Sequence, residues 1–147
     1  MRAALQVFQV PNAGGGAVLT FLLLAPAALL AVLAIVFWPR PLQIEVTASE
    51  LKVTGSVYGR ALMRSDIKLD DARSVDLSRE SPLTPVRRMN GVGLANYQVG
   101  WFRLKNGQRA LCFLTRMDSV VYLPTKRSFV LLLSTSEPLQ LLAALRS

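Results

Sequence analysis

Cationic side chains are the only residues of this 147-residue chain whose type and grouping point to chemistry. Arg87 and Arg88 stand side by side in a polar, glycine-containing stretch. Guanidinium groups donate hydrogen bonds in a planar fork that matches phosphate or carboxylate, so the pair is a candidate anion contact. Arg103 and Lys105 lie two apart and fall on one side of any strand that contains them. They would make a basic stripe in a stretch that also holds Arg109 and Arg116, and each such cation adds about 1 kcal/mol of attraction to an anionic lipid surface. Solvent-facing strands and loops carry the same residue types. Lys126 and Arg127 are read that way, as a solubilising turn pair.

Other chemistries lack their parts. The chain has no histidine, which removes the commonest general acid/base and the commonest metal ligand together. Cys112 is the only cysteine, so neither an internal disulfide nor a zinc site of three or four N/S ligands can form. Set between Leu111 and Phe113, it reads as a small buried residue without a base to activate it. Asp70 and Asp71 are adjacent acids with no further ligands beside them. Gly91-Val92-Gly93 lacks the strand-to-helix context and the Gly-Lys-Ser/Thr run of a phosphate loop. No catalytic residue, cofactor, metal or small-molecule substrate is therefore expected. The net charge of +8 would permit nucleic-acid binding, but there is no stacking motif to go with it, and no nucleic-acid partner is expected.

The elements that must position the cations come in two materials. Residues 3–39 contain no charged side chain, whereas all 9 acidic and 16 of the 17 basic residues lie from residue 40 onward. Residues 17–38 are 22 uncharged residues; as a helix they would extend roughly 33 Å, enough for a hydrocarbon core of about 30 Å. Trp38 suits the headgroup level, with Arg40 in water beyond it. Pro39 and Pro41 stop the helix, and Pro26 is a place for a kink. Ala25-Pro26-Ala27 fits a small-residue cleavage pattern. Cutting there would leave about a dozen apolar residues at the new terminus, so an uncleaved single-pass anchor in the cell (inner) membrane is expected. Arg40, Lys52 and Arg60 outweigh Arg2 in basic charge, which favours a cytoplasmic location for the chain beyond the anchor. Residues 1–16, with Pro11, Gly14, Gly15 and Gly16, form a flexible lead-in.

Residues 42–147 form one domain in which the period is mostly two. Leu42, Ile44 and Val46 alternate with polar residues, and after a turn at 47–50 so do Leu51, Val53 and Val57. Residues 61–63 resume the pattern, 65–71 read as a helical turn with Ile67 buried, and 72–77 as a further strand. Residues 81–96, with Pro82, Pro85, Gly91 and Gly93, read as a long irregular loop, a place where function is often found. Residues 97–105 and 108–115 flank Asn106-Gly107, the favoured pair for a two-residue type I′ hairpin. Trp101 and Phe102 point to opposite faces, one to the core and one outward. Strands at 119–123 and 128–133 come next, then an amphipathic helix at 137–146 with Leu141, Leu142 and Leu145 on one face, Ser136 as N-cap and Pro138 in the first turn. About seven short strands closed by one helix make a mainly β fold, its bent sheet covered by the terminal helix.

The run Tyr97-Gln98-Val99-Gly100-Trp101-Phe102-Arg103-Leu104-Lys105-Asn106-Gly107, then Val120 to Thr125 and Leu131 to Ser134, resembles the small bacterial pleckstrin-homology-like (PH-like) domain proteins. Tyr58-Gly59-Arg60 and Asn90 to Leu94 are similar too. The resemblance covers residues 42–146 and implies a bent β-sandwich or partly open barrel with a C-terminal helix, often behind a membrane segment. It carries over no catalytic residue. Eukaryotic domains of this fold hold phosphoinositides with cations around the first loop; here that loop is Thr47-Ala48-Ser49-Glu50, with Lys52 nearest, which does not match. The reading that results is a membrane-anchored, non-enzymatic interaction module. It touches lipid through its anchor and binds a protein partner at a sheet edge or through Arg87 and Arg88. The alternative is an anionic-lipid-binding domain that uses the face of Arg103 and Lys105, and an enzyme is the remote third.

Overall fold

The computed structural model describes residues 15–36, 41–79 and 81–147. The lead-in at residues 1–14 and the helix stop and interfacial residues expected at Trp38, Pro39 and Arg40 lie outside the described residues. The chain divides into two units, Met1–Pro39 and Arg40–Ser147. The first contains helix α1, Gly15–Val36, which has Pro26 inside it and neither an acidic residue in its first turn nor a basic one in its last. Side chains are described there for residues 24–35, and all are exposed, Leu24, Leu29, Leu30, Val32 and Ile35 among them. Among the described residues no helix is long and apolar enough to cross a membrane.

The second unit opens with an antiparallel three-stranded sheet, β1 (Gln43–Val46), β2 (Glu50–Thr54) and β3 (Arg60–Met63). Its register sets Ile44 opposite Val53, and Leu51 opposite both Val46 and Leu62, so the alternating apolar residues share one face. Val57, which the alternation predicts to point inward, is instead 95% exposed. The strand has already ended, because Gly55 turns the backbone to a positive φ of 91°. Two short 3-10 turns, Arg64–Asp66 and Leu69–Asp71, bracket the buried Ile67, where the sequence predicts one helical turn.

The remaining strands are β4 (Arg73–Val75), β5 (Pro85–Leu94), β6 (Tyr97–Leu104), β7 (Arg109–Leu114), β8 (Val120–Pro124) and β9 (Val130–Ser134), followed by helix α2 (Pro138–Arg146). They form a six-stranded sheet in the order β4-β8-β9-β7-β6-β5. Its pairs are antiparallel except β7 with β9, which run parallel. The fold is thus mainly β with a C-terminal helix, as expected, but among the described residues it has nine strands in two sheets rather than about seven. One strand of the difference lies at residues 81–96: what reads as a loop contains the ten-residue β5. Two register shifts, between Pro85 and Arg87 and between Arg88 and Asn90, interrupt its pairing with β6. Each bulge puts two residues opposite one and resets the inward–outward alternation, so no period of two survives in the sequence.

The six-stranded sheet is buried on both faces. One face, with Val99, Leu111, Phe113, Val121, Leu131 and Leu133, packs with Leu51, Val53 and Leu62 of the small sheet and with Leu142 and Leu145 of α2. The other, with Phe102, Leu104, Cys112, Leu114 and Leu132, is covered by Leu77 and Leu83 from the β4–β5 connection. Burial on two sides explains why the sequence there reads as unbroken apolar runs and not as alternation. Helix α2 begins after Glu137, which makes no side-chain cap hydrogen bond, so the expected Ser136 cap is displaced by one residue. Pro138 occupies the first turn as expected, and Arg146 pins the helix end by donating from Nη2 to the carbonyl of Ala72 at 2.8 Å.

Candidate binding edge and basic row

Pro85 to Leu94 lie at the margin of the large sheet, where among the described residues β5 hydrogen-bonds only to β6. The opposite margin, β4, is three residues long. A long edge strand leaves about half its backbone N–H and C=O groups turned away from its one neighbour and available to another strand. Along β5, Val86, Met89, Val92 and Leu94 are 63, 47, 45 and 64% exposed. Apolar side chains beside unpaired backbone are what an incoming strand needs, and proteins usually blunt such edges.

Two glycines fix how β5 lies. Gly91 and Gly100 are cross-strand partners with φ of 151° and 121°. A Cβ on Gly100 would come 2.6 Å from the Gly91 Cα and 2.5 Å from the Asn90 carbonyl oxygen, so backbone meets backbone where side chains would otherwise intervene. On the other flank the Tyr58 hydroxyl donates to Asn90 Oδ1 at 2.9 Å, tying the β2–β3 connection to the middle of β5.

The register then assembles a charge pattern. Arg87 stands opposite Arg103, and Arg103 opposite Arg109. Residues directly opposite share a face, so three guanidinium-bearing side chains stand in file across β5, β6 and β7, all exposed. Like charges so placed repel. Among the described residues the ion pairs are Arg116–Asp118 at 2.7 Å and Arg127–Asp66 at 2.8 Å, and neither neutralises the row. Part of the charge is met by other means. Arg103 Nη1 donates to the Gly107 carbonyl at 3.0 Å. The Arg109 guanidinium lies over the Trp101 ring at 4.2 Å with Arg60 at 5.7 Å, and a ring face attracts cations. Trp101 is itself held edge-on to Phe129 at 5.1 Å. As the alternation requires, Phe102 is buried on the other face and Trp101 is half-exposed.

The four candidate residues are therefore regrouped. Arg87 and Arg88 do not form a loop pair: they lie on a strand, Arg88 opposite Phe102 and so on the face away from Arg87. Arg87 joins Arg103 instead. Lys105 lies beyond the end of β6, within the hairpin turn, where its N–H donates to the Thr84 carbonyl at 2.9 Å. In the sequence Arg109 stands out only as one cation of the hairpin, and Arg60 not as a site residue at all, because their places depend on register and on the approach of the small sheet.

The hairpin decides that register. A type I′ turn needs positive φ at both central residues, and here Gly107 has a φ of 85° while no non-glycine residue among those described, Asn106 included, is positive. The Gly107 N–H donates to the Leu104 carbonyl and the Leu104 N–H to the Gln108 carbonyl, each at 2.9 Å, the pattern of a three-residue loop with a glycine bulge. The expected two-residue turn would have set Arg103 opposite Ala110.

Elsewhere the chemistry is quiet. Cys112 is fully buried, and loss of solvent pushes its thiol well above the ordinary range, so it stays protonated. Among the described residues no three His, Cys, Asp or Glu side chains are grouped to hold a metal ion.

Residues 42–147 match the family model described as bacterial PH domain, and the chain belongs to that family. No curated protein and no solved structure matches it. Domains of this class commonly bind proteins or lipids, so the family points to a generic interaction module.

Proposed function

We propose that the chain is a membrane-anchored, non-enzymatic adaptor that receives a protein partner at the β5 edge. The observation that carries this reading is β5 itself, ten residues long, paired on one side and lined with exposed apolar side chains. Strand addition uses such an edge for affinity through main-chain hydrogen bonds and takes specificity from alternate side chains. Anchoring is supported by the sequence alone, in which residues 3–39 carry no charged side chain. It places the domain at the inner membrane, on the cytoplasmic side by charge bias, and confinement there lets a weak contact suffice. The test is photo-crosslinking in intact cells from a reactive residue placed at Met89 on β5 or at Leu139 on α2. A discrete adduct from Met89 and none from Leu139 is expected; equal labelling from both, or none from Met89, would count against the edge. A reporter fused after Ser147 reads the side of the membrane.

One observation favours a second reading. Arg87, Arg103 and Arg109 form no ion pair among the described residues, and an anionic headgroup layer would neutralise all three. At about 1 kcal/mol each, their replacement by alanine would weaken liposome binding by about 100-fold. Binding indifferent to salt or to anionic lipid would remove this reading.

A further inference from the structure

On one face of β5 two chemistries succeed one another. In chain order that face carries Arg87, Asn90, Val92 and Leu94, opposite Arg103, Trp101, Val99 and Tyr97 of β6. Its first end is cationic: Arg87 and Arg103 are adjacent, exposed and without an ion pair among the described residues. Its second end is apolar, with Val92 and Leu94 exposed. Asn90 between them is engaged by Tyr58. On the opposite face the same stretch carries Arg88 and then Gly91 and Gly93, which offer no side chain to read alongside the apolar end.

We infer that the segment received by β5 is an extended stretch of about eight residues, acidic at one end, where it meets Arg87 and Arg103, and apolar at alternate positions of the other, where it meets Val92 and Leu94. The length comes from the span of β5 it must match, roughly 23 Å from Arg87 to Leu94 at about 3.3 Å per residue. The acidity comes from charge complementarity, because carboxylates brought by the partner relieve the repulsion between two cross-strand guanidiniums. A lipid surface would satisfy the charge but not the lateral backbone groups, and it has no counterpart to alternate apolar side chains. This inference rests on the edge-binding reading above and adds the chemistry of the occupant.

The experiment is selection from a displayed library of random peptides about ten residues long, against the full chain in detergent micelles. Enriched peptides should gather Asp and Glu at one end and Val, Ile, Leu or Phe at alternate positions of the other. Binding of a selected peptide should fall about tenfold or more in Arg87→Glu/Arg103→Glu, and selection on that variant should switch to Lys and Arg. Lys126→Glu, a charge reversal outside the row, should leave it unaltered, and circular dichroism checks that each variant is folded. Enriched peptides without acidic bias, or insensitive to charge reversal, overturn the inference. If such peptides are still lost in Val92→Asp/Leu94→Asp, edge binding stands and only the acidic occupant falls. If no peptide depends on β5, or if vesicles containing phosphatidylserine are bound through Arg87 and Arg103 instead, edge binding and acidic occupant fall together.

Discussion

Two glycines of positive φ show how differently one residue type can be required. At Gly107 a Cβ would meet nothing within 4 Å, so Gly107→Ala incurs only the left-handed backbone penalty, about 1 kcal/mol. At Gly100 a Cβ would strike the backbone of Asn90 and Gly91. Gly100→Ala should therefore destabilise by about 3 kcal/mol or more, read as a denaturant midpoint, and should speed amide exchange in β5 ahead of β9. Equal losses at the two positions would mean that the close approach of β5 to β6 is not a tight one. Cys112 supplies a second test. Burial raises its thiol pKa in the folded chain above the ordinary 9.0, so between those two values the unfolded chain holds fewer protons than the folded one. Stability is thus unaffected below pH 9 and falls as pH rises beyond it. Maleimide should label the native protein only as fast as it unfolds, and Cys112→Ala should flatten the alkaline loss.

At the level of elements, the face of a helix on which a leucine falls decides what it contributes. Leu139 and Leu145 both lie on α2, yet Leu145 is fully buried and Leu139 is 73% exposed. Leu145→Ala should cost about 2–5 kcal/mol and Leu139→Ala no more than about 0.5 kcal/mol, measured by equilibrium denaturation. Comparable effects would mean that α2 does not close the core. That helix is legible in the sequence because three leucines at helical spacing have few other uses, and β1, β2 and β6 to β9 are legible from alternation or from apolar runs. The edge strand is not. Pro85, Gly91 and Gly93 punctuate it as they would a loop, and its two bulges cancel the alternation that would have betrayed it. The site is half legible for the same reason. Arg87 and Arg103 stand out as residues, but their alliance depends on a register set by Gly107, and Asn106-Gly107 serves two turn types that differ by one residue of pairing. Sequence spacing alone does not choose between them.

For the molecule as a whole, the uneven distribution of charge bears on where it resides. Every buried apolar residue among those described lies between Leu51 and Leu145, so the second unit closes its core with its own strands and helix. The first unit offers apolar side chains that are exposed along residues 24–35, and a helix that is apolar all round has to be covered by something. The membrane reading supplies lipid, and it predicts a specific sensitivity. A lysine near the centre of a spanning helix costs about 3 kcal/mol on insertion scales, so Leu29→Lys with Val32→Lys costs about 6 kcal/mol. The natural chain should sediment with membranes and resist alkaline carbonate, while the double variant should be released, with the β-sheet signature of its second unit intact by circular dichroism. A natural chain that stays in the supernatant without detergent would remove the anchor.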